Sequence, residues 1–140
     1  MKAVLDHVGI AVRDLEQAFA FFRDTLGLEL ELSEEVPPQG VRVHFLRAGS
    51  ASLELVEPLG PSSPVAGFLE KRGPGMHHVA LRVDDIRATL ADLRSRGVRL
   101  IDEEPRPGAG GALIAFIHPS STHGVLVELK EGRTGDRVTG

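Results

Sequence analysis

Cysteine, tyrosine and tryptophan are all absent from this chain, so six phenylalanines and six histidines supply its aromatic rings. Without cysteine there is neither a disulfide nor a thiolate ligand, so a bound metal would need imidazole, carboxylate, carbonyl or water ligands. Without tyrosine and tryptophan the chain lacks the ring platforms on which nucleic-acid-binding modules stack bases. The lack of cysteine and of a signal-peptide pattern leads us to expect a cytoplasmic location.

Blocks of like charge and long apolar runs are also missing. The net charge is −4 and no cluster of lysine and arginine interrupts the sequence, so we expect no nucleic-acid partner. No apolar run approaches the length of a transmembrane helix, so we expect no membrane partner. The 140 residues, 41% hydrophobic and 26% charged, are typical of one ordinary globular domain.

An internal duplication organises the sequence. Residues 5–15 read LDHVGIAVRDL, residues 76–86 read MHHVALRVDDI, and the two segments align at a fixed offset of 71 residues. At that offset His7 aligns with His78 and Asp14 aligns with Asp85. Self-similarity of this kind indicates two copies of one structural unit.

Each copy predicts a strand, a helix and three further strands. Aspartate precedes each helix as an N-cap and glycine ends it, which gives helices over 15–26 and 86–96. The later strands are predicted over 28–35, 41–48, 51–57, 98–103, 112–118 and 124–130. The prediction is therefore an α+β fold of two paired βαβββ modules, whose curved sheets form a metal-binding cleft.

The predicted boundaries give one domain over residues 1–131. Module 1 covers 1–59, a linker covers 60–75 and module 2 covers 76–131, with a C-terminal tail over 132–140. A short apolar segment at Val65–Leu69 predicts one or two helical turns within the linker.

Strand alternation places one histidine and one glutamate of each module on the face opposite the helices. Val8 and Val79 face the helices, which turns His7 and His78 the other way. In the last strands Leu55, Val125 and Val127 are predicted to face the core, which turns the neighbouring glutamates away from it, namely Glu54 and Glu128. A single residue of this kind is usually just solvated, but the recurrence of the pair in both copies favours shared metal ligation. His77 has the opposite parity and is interpreted as structural.

The duplicated pattern resembles the vicinal-oxygen-chelate superfamily, and within it the methylmalonyl-CoA epimerase family. The resemblance rests on LDHVGIAVRDLEQA, on EPLGPSSPVAGFLEKRGPGMHHVALRVDDI and on HPSSTHGVLVEL, which together span roughly residues 4–130. It implies a metal-dependent epimerase that interconverts (2R)- and (2S)-methylmalonyl-CoA by removing the C2 proton through a metal-stabilised enolate. It also implies that His7, Glu54, His78 and Glu128 bind one divalent ion, with Co²⁺ expected first and Mn²⁺, Ni²⁺, Zn²⁺ or Fe²⁺ as alternatives.

The acid and base are assigned less directly. Glu128 is a candidate because a ligand carboxylate could leave the metal and accept a proton, and Glu104 matches an acidic position of relatives. Two positions depart from the family pattern. Ser120 stands where relatives often carry lysine, and Val43 stands where some epimerases carry a glutamate proposed as a catalytic base.

The implied partners are an acyl-CoA substrate and a second copy of the chain in a homodimer. Because CoA is polyanionic, cations are expected along one edge of the cleft. Candidates that lie on the His78 face or in the flanking loops are Lys71, Arg72, Arg82 and Arg106.

Three other functions fit the same fold. A glyoxalase I-type isomerase acting on a glutathione hemithioacetal would use the same metal, whereas a metal-free ligand-binding or resistance protein would need no complete ligand set. An extradiol dioxygenase expects two histidines and one glutamate for Fe²⁺, usually in a longer chain. The four-residue set favours the epimerase.

Overall fold

The structure, a computed structural model, describes residues 2–133, so most of the predicted tail lies outside the described residues. Eight strands and three helices follow the predicted modular order. Their bounds are β1 Val4–Ala11, α1 Leu15–Phe19, β2 Glu29–Val36, β3 Val41–Ala48, β4 Ala51–Pro58, α2 Pro64–Arg72, β5 Gly75–Val83, α3 Ile86–Ser95, β6 Arg106–Pro107, β7 Leu113–Ile117 and β8 Val127–Glu131. A π-helical turn, Ala20–Thr25, extends α1 to nearly its predicted end.

All eight strands form one curved mixed sheet in the order β2-β3-β4-β1-β5-β8-β7-β6. Each module pairs its first strand in parallel with its last, β1 with β4 and β5 with β8. The two modules meet where β1 and β5 run antiparallel at the centre. The predicted α+β class with two paired modules is thus confirmed, and the first strands of both modules lie side by side.

The helix ends follow the predicted signals. The side chain of Asp14 accepts a hydrogen bond from the backbone N–H of Gln17 at 3.1 Å, and Asp85 accepts one from Ala88 at 3.0 Å. Each bond satisfies an amide that the first helical turn leaves without a partner. Gly27 and Gly97 adopt φ values of 79° and 80°, the left-handed conformation that ends a helix.

Apolar side chains pack on both faces of the sheet. On the outer face α1 covers Leu46 and Leu55. In module 2, Leu90 of α3 packs against Ala115 and Leu129 of the sheet. The inner face of module 1 is also closed, because α2 packs Val65 and Leu69 against it. The inner face, on which we predicted the metal ligands, is therefore buried. Water is largely excluded from the histidines and glutamates on that face.

Two strands of module 2 differ from prediction. No strand forms over 98–103, where Leu100 makes one isolated bridge to Ile117 and β6 occupies Arg106–Pro107 instead. The reason is local, since the side chain of Asp102 accepts from the backbone N–H of Phe116 at 2.8 Å and replaces a ladder bond.

The last strand begins later than predicted. A turn closed by a hydrogen bond from the Gly124 N–H to the Pro119 carbonyl precedes it, so β8 starts at Val127. Val125, expected to face the core, consequently lies in the turn and is 44% exposed.

Leu55→Ala tests the outer core. Leu55 is fully buried in β4, so we expect the free energy of unfolding to fall by about 2–5 kcal/mol in urea denaturation. Leu32→Ala is the matched control, because Leu32 is 43% exposed in β2 and its truncation should change stability by less than about 0.5 kcal/mol. Equal losses in the two variants would contradict this assignment of the core.

Candidate metal centre

The four predicted ligands lie on the four central strands. His7 is on β1 and His78 on β5, and the antiparallel register sets Gly9 opposite His78. In module 1 the parallel register pairs Glu54 with Gly9, two residues beyond His7. In module 2 it pairs Glu128 with Ala80, two residues beyond His78. The duplicated register therefore brings both pairs to the same region of the inner face.

Three of these side chains converge closely. His7 Nε2 lies 3.1 Å from His78 Nε2, and Glu128 Oε1 lies 3.1 Å from His78 Nε2 and 3.6 Å from His7 Nε2. Such separations suit atoms that share one ion at about 2.0–2.2 Å. The group is buried, and a cavity of about 30 Å³ is lined by all four predicted ligands. That volume is enough for one ion or one water molecule.

The fourth side chain, Glu54, approaches from the opposite edge of the His7 ring. Its Oε2 lies 2.9 Å from His7 Nδ1, and it groups with Asp6 and His7 rather than with the other pair. Within residues 2–133 this buried oxygen has no hydrogen-bond donor of its own, because the Nδ1 hydrogen of His7 is directed at Asp6. A buried carboxylate oxygen without a donor is costly, and a cation beside it removes that cost. The donor set and this orphaned oxygen both fit a divalent ion.

The imidazoles and carboxylates of the site shift one another's pKa values. Burial alone disfavours a charged His7, but Glu54, Asp6 and Glu128 outweigh it and raise the pKa of His7 well above its ordinary value. Burial likewise favours a neutral Glu128, but hydrogen bonds from His7 and His78 outweigh it and lower the pKa of the Glu128 carboxyl. The site therefore favours positive charge at its centre and an ionised carboxylate at its edge.

Asp6 is a site residue that the sequence analysis missed. It is 1% exposed, and its Oδ2 accepts from His7 Nδ1 at 2.7 Å. Arg82 donates to its Oδ1 at 3.2 Å and Lys130 to its Oδ2 at 3.4 Å. Burial raises the pKa of Asp6, but the bond from His7 and the two cations lower it overall. The only sequence signal was its place directly before a candidate ligand histidine.

Arg82 was expected as a cation for CoA. The structure instead buries it at 6% exposure, where it forms an ion pair with Asp6.

His77 also lies beside the centre, although simple alternation turned it away. Its Nδ1 is 2.9 Å from His78 Nδ1, and its ring packs edge-on against Phe68 with centroids 5.0 Å apart. Burial, followed by the charge of His78, lowers the pKa of His77 to about 4. The His77 ring is therefore neutral at neutral pH.

Two other predicted positions lie differently. Glu104 is exposed in the segment before β6 and does not line the described cavities around the histidines. Val43 is 5% exposed and forms part of the wall of the 30 Å³ cavity. This chain therefore presents an apolar surface where some epimerases carry a glutamate.

Two larger cavities meet at the paired histidines. One of about 420 Å³ is bounded by apolar side chains such as Val56 and Phe116 and by Arg106. The other, of about 510 Å³, is bounded by Phe68 and by the cations Lys71 and Arg72 at the end of α2. His77 and His78 line both, so a ligand at the centre can extend in two directions.

A family model decides the relationship of the chain. Residues 6–116 match the glyoxalase/bleomycin resistance protein/dioxygenase superfamily. The chain belongs to this superfamily. As in the predicted resemblance, the match spans both modules and includes both candidate histidines. Of residues 2–133, no helix is long and apolar enough to cross a membrane.

Similar proteins narrow the relationship within the superfamily. Mitochondrial methylmalonyl-CoA epimerase of Bos taurus is 45% identical over 91% of this chain and 73% of its own length. The crystal structure of methylmalonyl-CoA epimerase from Mycobacterium tuberculosis is 46% identical, with a TM-score of 0.87 over 92% of this chain and 87% of that one. A Streptomyces coelicolor epimerase variant in complex with 2-nitronate-propionyl-CoA is 40% identical, with a TM-score of 0.87 over 91% and 96%. The expected resemblance to these epimerases is confirmed.

Gly9→Ala tests the close approach of the two central strands. A Cβ at position 9 would lie 2.1 Å from Cε1 of His78, so the ring must move away from His7 and Glu128. We expect divalent-ion affinity, measured by calorimetry, to fall by about tenfold or more. Gly60→Ala is the control, because a Cβ there meets nothing within 4 Å. Unchanged affinity in Gly9→Ala would contradict the placement of His78.

Proposed function

We propose that this chain is a metal-dependent epimerase that interconverts (2R)- and (2S)-methylmalonyl-CoA. The observation that carries the proposal is the buried group of His7, His78 and Glu128, in a chain 45% identical to an epimerase of that name. Epimerisation at C2 requires removal of a proton between a thioester and a carboxylate, followed by its return on the opposite face. The site therefore needs a cation for the developing oxyanion and groups that move the proton.

His7, His78 and Glu128 would hold the ion, and Glu54 would complete the set after its carboxylate turns from the Nδ1 edge of His7. When bound, a divalent ion supplies a Lewis acid that stabilises negative charge on the thioester oxygen. Imidazole with carboxylate suits Co²⁺, our first expectation, as well as Mn²⁺, Ni²⁺, Zn²⁺ and Fe²⁺. The buried surroundings strengthen every charge interaction there, because little water screens it.

Glu128 is the proposed base. It borders the small cavity, and its carboxylate would accept the C2 proton after leaving the ion and the two histidines, whose contacts lower its pKa and weaken it as a base. Reprotonation on the other face completes the epimerisation. Val43 offers no proton-transfer group in this chain, and the assignment of Glu104 as the second group stays a prediction because its carboxyl is exposed.

The two large cavities suit an acyl-CoA. The apolar cavity with Arg106 can accept the acyl end near the histidines, while Lys71 and Arg72 line the second cavity with positive charge for phosphates. The Streptomyces coelicolor relative holds an acyl-CoA analogue, which supports this class of substrate. The homodimer and the cytoplasmic location stay predictions.

Solvent exchange tests the chemistry directly. In deuterated water with Co²⁺, we expect the protein to place deuterium at C2 of methylmalonyl-CoA. The proton that is removed from C2 exchanges with solvent before a proton returns to that carbon. Mass spectrometry of the thioester measures this. A parallel assay with methylglyoxal and glutathione should show no turnover. Turnover in that assay without C2 exchange would favour the glyoxalase-type alternative.

His78→Ala tests the metal centre. Removing this imidazole should abolish bound metal and reduce turnover by about 10²-fold or more, because the oxyanion loses its counter-charge. The circular dichroism spectrum should stay unchanged. His123→Asn is the control, since His123 is an exposed histidine with φ of 60°, a conformation that asparagine tolerates. Full activity and metal content in His78→Ala would refute the site.

A further inference from the structure

Two β-bulges flank the metal centre at equivalent places in the two modules. Between β1 and β5, Leu5 pairs with Leu81 and His7 with Ala80, which leaves Asp6 as an extra residue on β1. Further along, Gly9 pairs with His78 and Ile10 with Met76, which leaves His77 as an extra residue on β5. A bulge residue escapes the alternation of faces, so each of these side chains can lie beside the histidine that follows it.

Asp6 contacts His7 through an ionised carboxylate. Its Oδ2 lies 2.7 Å from His7 Nδ1, and Arg82 and Lys130 hold the carboxylate from the other sides. An ionised carboxylate only accepts hydrogen bonds, so His7 Nδ1 carries the hydrogen. The other nitrogen, Nε2, is the one that faces His78 and Glu128.

His77 makes the equivalent contact without a charge. Its Nδ1 lies 2.9 Å from His78 Nδ1, and the edge of its ring packs on Phe68, which limits its rotation. His78 Nε2 faces His7 and Glu128, where an ion requires a lone pair. When the ion is bound, the hydrogen of His78 therefore lies on Nδ1 and is donated to His77 Nδ1. This leaves the hydrogen of His77 on its own Nε2.

We propose that Asp6 and His77 are the positioning residues of the metal centre, each accepting the Nδ1 hydrogen of the next histidine and thereby aiming its Nε2 at the divalent ion. The inference deepens the proposed function and rests on the metal site assigned there. The two partners are unequal, because a carboxylate raises the basicity of its imidazole more than a neutral ring does. Loss of Asp6 therefore weakens metal binding more than loss of His77.

Imidazole tautomers in the Zn²⁺-loaded protein give the first test. Long-range ¹⁵N–¹H correlation spectra at about pH 8, above the ordinary histidine pKa, should show His78 with its hydrogen on Nδ1 and His77 with its hydrogen on Nε2. The matched variant His123→Asn removes one exposed ring and should leave both patterns unchanged. A His77 hydrogen on Nδ1 overturns the proposal, because that nitrogen could not then accept from His78. This measurement needs bound Zn²⁺ but no turnover, so it stands even where the epimerase chemistry fails.

Metal affinity gives the second test, with Co²⁺ competed against a chromophoric chelator. His77→Leu should weaken binding by about 10–100-fold, because the acceptor for His78 Nδ1 is lost. His77→Asn should restore binding to within about threefold, since its amide oxygen accepts from nearly the same place. Asp6→Ala should weaken binding more than His77→Leu.

The possible outcomes separate the two proposals. Parent-like affinity in His77→Leu, or no recovery in His77→Asn, overturns the positioning role. If the parent protein binds neither Co²⁺ nor Zn²⁺, the metal centre and the positioning role that rests on it both fail. If it binds the ion with the expected tautomers but exchanges no C2 hydrogen, only the epimerase assignment fails.

Discussion

Charge compensation in a buried space governs the centre of this molecule. Asp6, Glu54 and Glu128 are all nearly inaccessible to solvent, and carboxylates in such surroundings are stable only beside positive charge. Two imidazoles meet two of those carboxylates, and Arg82 with Lys130 meets the third. One oxygen of Glu54 has no hydrogen-bond donor, so its surroundings could accept one more cation.

Duplication supplies the geometry that makes this arrangement possible. Each module pairs its first strand in parallel with its last, so one histidine and one glutamate project from neighbouring strands. Because the first strands of the two modules then pair antiparallel, the two sets lie in one region of the inner face rather than on two separate surfaces. Gly9 permits the meeting, since any side chain there would occupy the position of the His78 ring.

The two modules have diverged around that shared frame. Module 1 closes its inner face with α2 and with apolar side chains that include Val43, which makes one wall of the centre dry. Module 2 has a short and irregular outer edge, where the Asp102 side chain takes the place of a ladder bond. Its Arg106 borders the cavity of about 420 Å³. Module 1 thus supplies a dry wall beside the charged centre, and residues of both modules line the cavity through which a ligand can reach it.

The sequence alone was sufficient to predict the duplication, the order of elements, the helix caps at Asp14 and Asp85, and the pairing of one histidine with one glutamate in each module. Each of these features depends on short-range periodicity or on repetition along the chain. Only the tertiary structure decided which side of the His7 ring Glu54 approaches, that Asp6 and His77 join the centre, and that 98–103 is not a strand. The prediction of faces by alternation assumes a strand without bulges. The bulges at Asp6 and His77 arise from the pairing of β1 with β5, which lie far apart in the sequence. The burial of Arg82 follows from the same fit, since its partner Asp6 lies on the other module and no local pattern records that contact.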